Sequence, residues 1–205
     1  MNVKELVIVG EEEIGKTTLA NALLGWDIFP QSTWDLYIPT KELRSHMLTD
    51  HIRLTDTPGY DLVWYQVPEA VYEAVCRADT IIMMFQGFWP SENDDPKHIE
   101  GVRRWSNDLT KKEKLLTKLL SKANTRDIYF VIPFYSEDGP LEQENAGQAL
   151  SRAKERFALF SDHGEAGFFC IDPRMALIAA VEDDHTALEA SGIMALKAAL
   201  LCREE

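Results

Sequence analysis

Val3–Thr18 reads VKELVIVGEEEIGKTT. An apolar run, Leu6-Val7-Ile8-Val9, leads directly into Gly10, four further residues and then Gly15-Lys16-Thr17. Behind it, Lys16–Gly25 (KTTLANALLG) places Leu19, Ala22 and Leu23 at i, i+3, i+4, the apolar stripe of a helix lying on a sheet. Gly25 is a natural helix stop. Strand, glycine-bounded loop and helix, in that order, are the setting of a phosphate-binding loop. N–H groups of such a loop and of the first helical turn face inward and favour an anion. Gly10 and Gly15 admit a close backbone approach that a Cβ would obstruct. Gly10, Ile14, Gly15, Lys16, Thr17 and Thr18 are therefore the candidate phosphate-binding residues. Lys16 would reach β- and γ-phosphates, and Thr17 would offer its hydroxyl to Mg²⁺. A plain glycine turn between strand and helix is the competing explanation.

Residues 51–59 read HIRLTDTPG. Ile52 and Leu54 alternate as in a strand, which opens into Asp56-Thr57-Pro58-Gly59. Taken alone, this is a Pro-Gly turn at a strand end. After a phosphate loop, it resembles the DxxG motif of the P-loop GTPase superfamily, in the DTPG form of small bacterial-type members. The KTTLANALLG helix resembles the first helix of that family. Ser191–Leu201 (SGIMALKAALL) resembles the Gly-Ile-x-x-Leu opening of its last helix. The resemblance spans most of the chain. It implies GTP/GDP and Mg²⁺ as ligands, and Mg²⁺-dependent GTP hydrolysis in a regulatory or assembly switch. It also implies roles. Asp56 holds the metal through water, and the Gly59 N–H senses the γ-phosphate. A threonine ahead of the second strand closes on both metal and phosphate. Thr33 suits that position and Thr40 is the alternative. The catalytic set is then Lys16, Thr33 and Gly59, and the metal set Thr17, Asp56 and Thr33.

Three departures complicate this picture. The loop interior is Glu11-Glu12-Glu13-Ile14, where the family carries small or neutral residues. A carboxylate about 7 Å from a phosphate charge repels it by roughly 2 kcal/mol at an effective dielectric of 20, less when solvated. The guanine-reading Asn-Lys-x-Asp is absent; Val131–Asp138 reads VIPFYSED, and one register sets Asp138 where the family's base-binding Asp stands. After the last strand, Cys170-Ile171-Asp172-Pro173 replaces the usual Ser-Ala. Finally, Tyr60 comes after Gly59 where Ras-like members use a water-orienting Gln. Two rival readings remain: a non-hydrolysing pseudo-GTPase serving as a binding scaffold, and an NTPase with ATP or relaxed base preference.

The chain has 205 residues, 45% hydrophobic and 27% charged, enough for one substantial core and a single domain over 1–205. No apolar run approaches membrane-spanning length. MNVKELVIVG enters the first strand at once, leaving no room for a secretory leader. Cys76, Cys170 and Cys202 lack metal-ligand spacing and read as free thiols of a reducing cytoplasm. The five histidines are scattered. A net charge of −13 argues against broad nucleic-acid binding. The one basic stretch, Lys111–Lys122, reads as a helix with leucines on one side and solvated lysines elsewhere.

Strands are expected at 5–9, near 34–39 as an edge, near 48–55, and at 80–85, 128–134 and 168–171. Helices are expected at 16–24, from Pro68 as the first helical residue to about 77, up to about 123, over 141–160, and from 174 to about 202 with a break at Asp183-Asp184. Alternation of strands and helices predicts an α/β three-layer sandwich: a mostly parallel sheet of about six strands with helices on both faces. Tyr60, Trp64 and Tyr65 after the DTPG turn, with Phe88 and Trp89, would form a surface for a protein effector if exposed. A homodimer is a further expectation.

Overall fold

The computed structural model describes residues 3–30, 40–60, 66–85, 115, 117–125, 127–134, 147–148, 150–151 and 167–202. Among these, six strands form one sheet: β1 Lys4–Gly10, β2 Arg44–Met47, β3 Ile52–Asp56, β4 Thr80–Met84, β5 Ile128–Pro133 and β6 Gly167–Ile171. Their order across the sheet is β2-β3-β1-β4-β5-β6. β2 runs antiparallel to β3, and every other pairing is parallel. Helices described from end to end are α1 Lys16–Leu24, α2 Glu69–Arg77, α3 Pro173–Glu182, α4 His185–Ala190 and α5 Ile193–Leu201, and residues 115, 117–120, 147–148 and 150–151 are also helical.

Strand periodicity divides the core into two layers. Leu6 and Ile8 of β1 face Leu19 and Leu23 of α1, Ala176 of α3, and Ile193 and Leu196 of α5. Val7 and Val9 point the other way, toward Val71 and Val75 of α2 and Leu115 and Leu119 of the basic stretch. Leucines of that stretch are thus core residues. Because β1 and β4 are covered on both faces, they read as unbroken apolar runs. Each large apolar side chain so buried contributes about 1.5–3 kcal/mol, which holds both helix layers to the sheet.

Helix ends obey local chemistry. Gly25 closes α1 at φ 78, its N–H donating to the Asn21 carbonyl. Asn21 is fully buried. Its side chain donates to Phe29 O and accepts from Phe29 N, pinning the loop beyond the helix. The break expected at 183–184 is present: Asp183 ends α3 at φ 58 and Asp184 caps α4. Pro68 is the N-cap of α2 rather than its first helical residue, because its ψ of 141° is extended and Glu69 begins the helix. The edge strand is Arg44–Met47, which the sequence pattern hides behind a mostly polar, exposed RSHM; the segment expected at 34–39 lies outside the described residues. The next strand starts at Ile52 rather than 48, since Thr49 Oγ1 accepts from the His51 and Ile52 N–H groups and makes a turn there.

Gly192 opens α5 at φ 80, and a Cβ there would lie 2.3 Å from the Cys170 carbonyl oxygen. Gly192→Ala is expected to cost about 2 kcal/mol or more in urea unfolding, from strain and a backbone clash together. A change below about 0.5 kcal/mol, the range of neutral surface substitutions, would contradict this packing.

Candidate functional site

Register brings the site together. β1 pairs with β3 so that Ile8 lies opposite Asp56, and Thr57 Oγ1 donates to Ile8 O at 2.8 Å. The DTPG turn therefore leaves the sheet beside the loop that begins after Gly10. A Cβ on Gly10 would meet the Met84 carbonyl oxygen at 2.7 Å, so β1 and β4 approach closely there. Glu13 and Gly15 have φ of 61° and 91°, left-handed turns that curl the loop. Mixed-handed backbone of this kind forms an anion-binding concavity. The first N–H of α1 bonded back to the loop is that of Leu19, to Gly15 O at 2.9 Å. The amides of Lys16 and Thr17 precede it and have no intrahelical acceptor. Ile14 is buried in the core, so its side chain anchors the loop. Thr18 is half-buried in the first turn of α1.

Lys16 is 6% exposed, and its Nζ donates to Glu11 O at 2.6 Å. Burial pushes this ammonium down to about 8, against the opposing fields of Asp56, Glu12 and Glu11. Next to it, Thr17 Oγ1 donates to Asp56 Oδ2 at 2.9 Å. Thr40 Oγ1 lies 3.2 Å from Thr17 Oγ1 and 3.4 Å from the same Asp56 oxygen. Asp56 is fully buried, and burial raises its pKa despite the bond from Thr17 and the charge of Lys16. Its Oδ1 has no hydrogen-bond partner among the described residues.

An orphaned buried carboxylate oxygen beside two hydroxyls is a hard-oxygen set suited to Mg²⁺. The described residues hold no cluster of three or more His, Cys, Asp or Glu side chains that could bind a metal alone. A Mg²⁺ carried by phosphates needs no such cluster, because phosphate and water oxygens complete its shell.

The turn after Asp56 is strapped to the loop. Glu12 N donates to Tyr60 O and Tyr60 N donates to Gly10 O, both at 3.2 Å, and Glu11 and Tyr60 form a parallel bridge. A Cβ on Gly59 would lie 2.5 Å from Glu12 Cγ and 2.6 Å from Glu12 Cα. Tyr60 is 2% exposed and packs with Val7, Val9 and Val71, and burial pushes its phenol up. The exposed aromatic surface expected to start at Tyr60 is thus corrected for that residue: among valines of β1 and α2, the ring gains more from burial than from solvent. Trp64, Tyr65, Phe88 and Trp89 lie outside the described residues. Glu12 and Glu13 expose their side chains, and Glu11 is half-buried.

Of the expected site residues, Gly10, Ile14, Gly15, Lys16, Thr17, Thr18, Asp56 and Gly59 converge at this edge of the sheet. Thr33 and Asp138 lie outside the described residues. Thr40, four residues ahead of β2, meets Thr17 and Asp56. Sequence reasoning misses the Tyr60 strap, whose only signal is adjacency to Gly59.

Two consequences concern stability. Asp56→Asn removes a buried charge with an unpaired oxygen, so without ligands it should leave unfolding free energy unchanged or raise it by about 1 kcal/mol. A loss above about 2 kcal/mol would show that the carboxylate serves folding. Glu13→Gly relieves a left-handed side chain and should raise stability by about 0.5–1 kcal/mol in the same denaturant assay; a decrease would contradict the loop geometry.

A family model described as 50S ribosome-binding GTPase matches residues 5–132. No curated protein sequence matches the chain. Among solved structures, the chain is similar to Era in complex with MgGDPNP and nucleotides 1506–1542 of 16S ribosomal RNA. The identity is 20%, over 94% of this chain and 57% of that one, with a TM-score of 0.52. It is also similar to the bacterial selenocysteine-specific elongation factor EF-Sec, at 16% identity over 93% of this chain and 29% of that one, with a TM-score of 0.51. At these identities the structural likeness shows the fold, a P-loop G domain, and the chain spans less than two thirds of either relative. The family model takes in more than half of the chain, with the phosphate loop, the DTPG turn and strands β1 to β5, so the chain belongs to the family of 50S ribosome-binding GTPases.

Proposed function

We propose that this protein binds GTP and GDP with Mg²⁺, hydrolyses GTP, and acts in the cytoplasm as a regulatory or assembly switch. One observation carries the reading: Asp56, buried and with a spare oxygen, meets Thr17 in the first turn of α1, beside the buried ammonium of Lys16. Phosphoryl transfer asks mainly for positioning and charge stabilisation, so no nucleophilic side chain is needed. Loop amides and Lys16 would hold the β- and γ-phosphates. Thr17 and Asp56 would hold Mg²⁺, with Thr40 closing on them from the segment before β2. Mg²⁺ would supply neutralisation of developing phosphate charge. Gly59, held against Glu12 by a contact that only glycine permits, would report the γ-phosphate to the segment beyond it. A protein effector reading that segment fits a switch; the buried Tyr60 ring is not its contact.

Base choice is a separate matter. At the end of β6, Asp172 Oδ1 accepts from Arg174 N and Met175 N, and Pro173 has no N–H. This helix start is capped by its own side chain, which favours a second reading of relaxed base preference.

Calorimetric titration with GDP, GTP and ATP in Mg²⁺ tests both. Micromolar or tighter GDP binding is expected, weakened at least about 100-fold by Lys16→Ala, since a buried, charge-assisted phosphate contact is lost. Phosphate release from GTP should require Mg²⁺ and fall with Asp56→Asn. ATP binding within a few-fold of GTP would select the second reading. No binding of any nucleotide at millimolar concentration would overturn both.

A further inference from the structure

Glu12 is the loop residue against which the DTPG turn closes. Its N–H is engaged by Tyr60 O, its Cα and Cγ fill the space where Gly59 would carry a Cβ, and its exposed carboxylate acts electrostatically on the Lys16 ammonium. The backbone strap leaves Glu12 no freedom to move away from Gly59 without parting the loop from the turn. On the guanine-nucleotide reading proposed above, the terminal phosphate of a triphosphate would approach Lys16 and Gly59, the residue on which Glu12 packs. A negative charge on the residue packed against Gly59 would then act more strongly on the terminal phosphate than on the one nearer the helix start.

We infer that Glu12 is a specificity-determining residue that sets the preference of this site for a nucleoside diphosphate over a triphosphate. It rests on the guanine-nucleotide reading above and deepens it. Glu12 competes with the incoming γ-phosphate for the field of Lys16, so the triphosphate binds more weakly relative to the diphosphate than it would beside a neutral residue. Glu13 differs, because its side chain leaves the loop from a left-handed residue. Glu11 acts on the same ammonium and lends its carbonyl to Nζ, whereas Glu12 is the glutamate packed on Gly59.

The test is competition titration of GDP against a non-hydrolysable GTP analogue in Mg²⁺, on wild type, Glu12→Gln, and Glu73→Gln as a distant charge control on α2. Circular dichroism and melting verify that each variant folds. Glu12→Gln should raise analogue affinity relative to GDP by about five- to twenty-fold, the scale of one partly screened charge near a phosphate. The wild-type ratio should itself move toward the triphosphate as salt rises, whereas Glu73→Gln, an exposed charge on another element, leaves it within about two-fold. Equal changes in both affinities, or none, would overturn this inference while leaving nucleotide binding intact. Failure of wild type to bind either nucleotide would overturn it together with the reading on which it rests. Glu12→Ala, which removes the charge and most of the side chain, should shift the ratio in the same direction; an opposite shift would also overturn the inference.

Discussion

A buried ammonium and a buried carboxylate lie side by side at the carboxyl edge of the sheet, and neither neutralises the other by direct contact. Lys16 turns its Nζ to a backbone carbonyl, while Asp56 bonds Thr17 and keeps one oxygen without a partner among the described residues. Removing such groups from water costs several kcal/mol each. The fold sustains that cost with two apolar layers packed on β1 and β4, and fixes the geometry by register: Ile8 opposite Asp56 on one side, Gly10 opposite Met84 on the other. Moving β3 by one residue would turn Asp56 away from the loop and its apolar neighbours out of the core. The pair is thus held by the whole sheet, and on the proposed function it would receive a polyanion with its own cation.

Much of this architecture is legible in the chain. Unbroken apolar runs at 6–9, 81–84 and 128–132 mark strands covered on both faces, and glycines at 10, 15 and 25 mark where the loop and first helix begin and end. Asp183-Asp184 announces the helix break because aspartate tolerates a left-handed stop and caps the next helix. β2 is not legible. An edge strand buries little, so Arg44–Met47 shows no apolar signature, and its place is settled by pairing with β3. Pro68 is ambiguous by one position because proline serves either side of a helix start, and only its ψ distinguishes them.

The site is legible where its residues are bound to local motifs and illegible where they meet through the fold. Gly10 to Thr18 and Asp56 to Gly59 can be placed from spacing. That Tyr60 ties the turn to the loop depends on tertiary placement that no spacing encodes, and Thr40, only an alternative in the sequence, meets Thr17 and Asp56 through such placement. The tie also gives the three consecutive glutamates distinct surroundings: one lends its carbonyl to Lys16, one packs on Gly59, and one curls the chain.

The central claim is that the loop amides and Lys16 grip a polyphosphate whose metal is shared with Thr17 and Asp56. The most direct measurement is a crystal structure grown with GDP and Mg²⁺. The account predicts β-phosphate oxygens within about 3 Å of the backbone nitrogens of residues 14–17 and of Lys16 Nζ, with the metal on Thr17 Oγ1 and its waters on Asp56. A loop unchanged under saturating ligand, with Lys16 still on Glu11 O and no density at the start of α1, would contradict it.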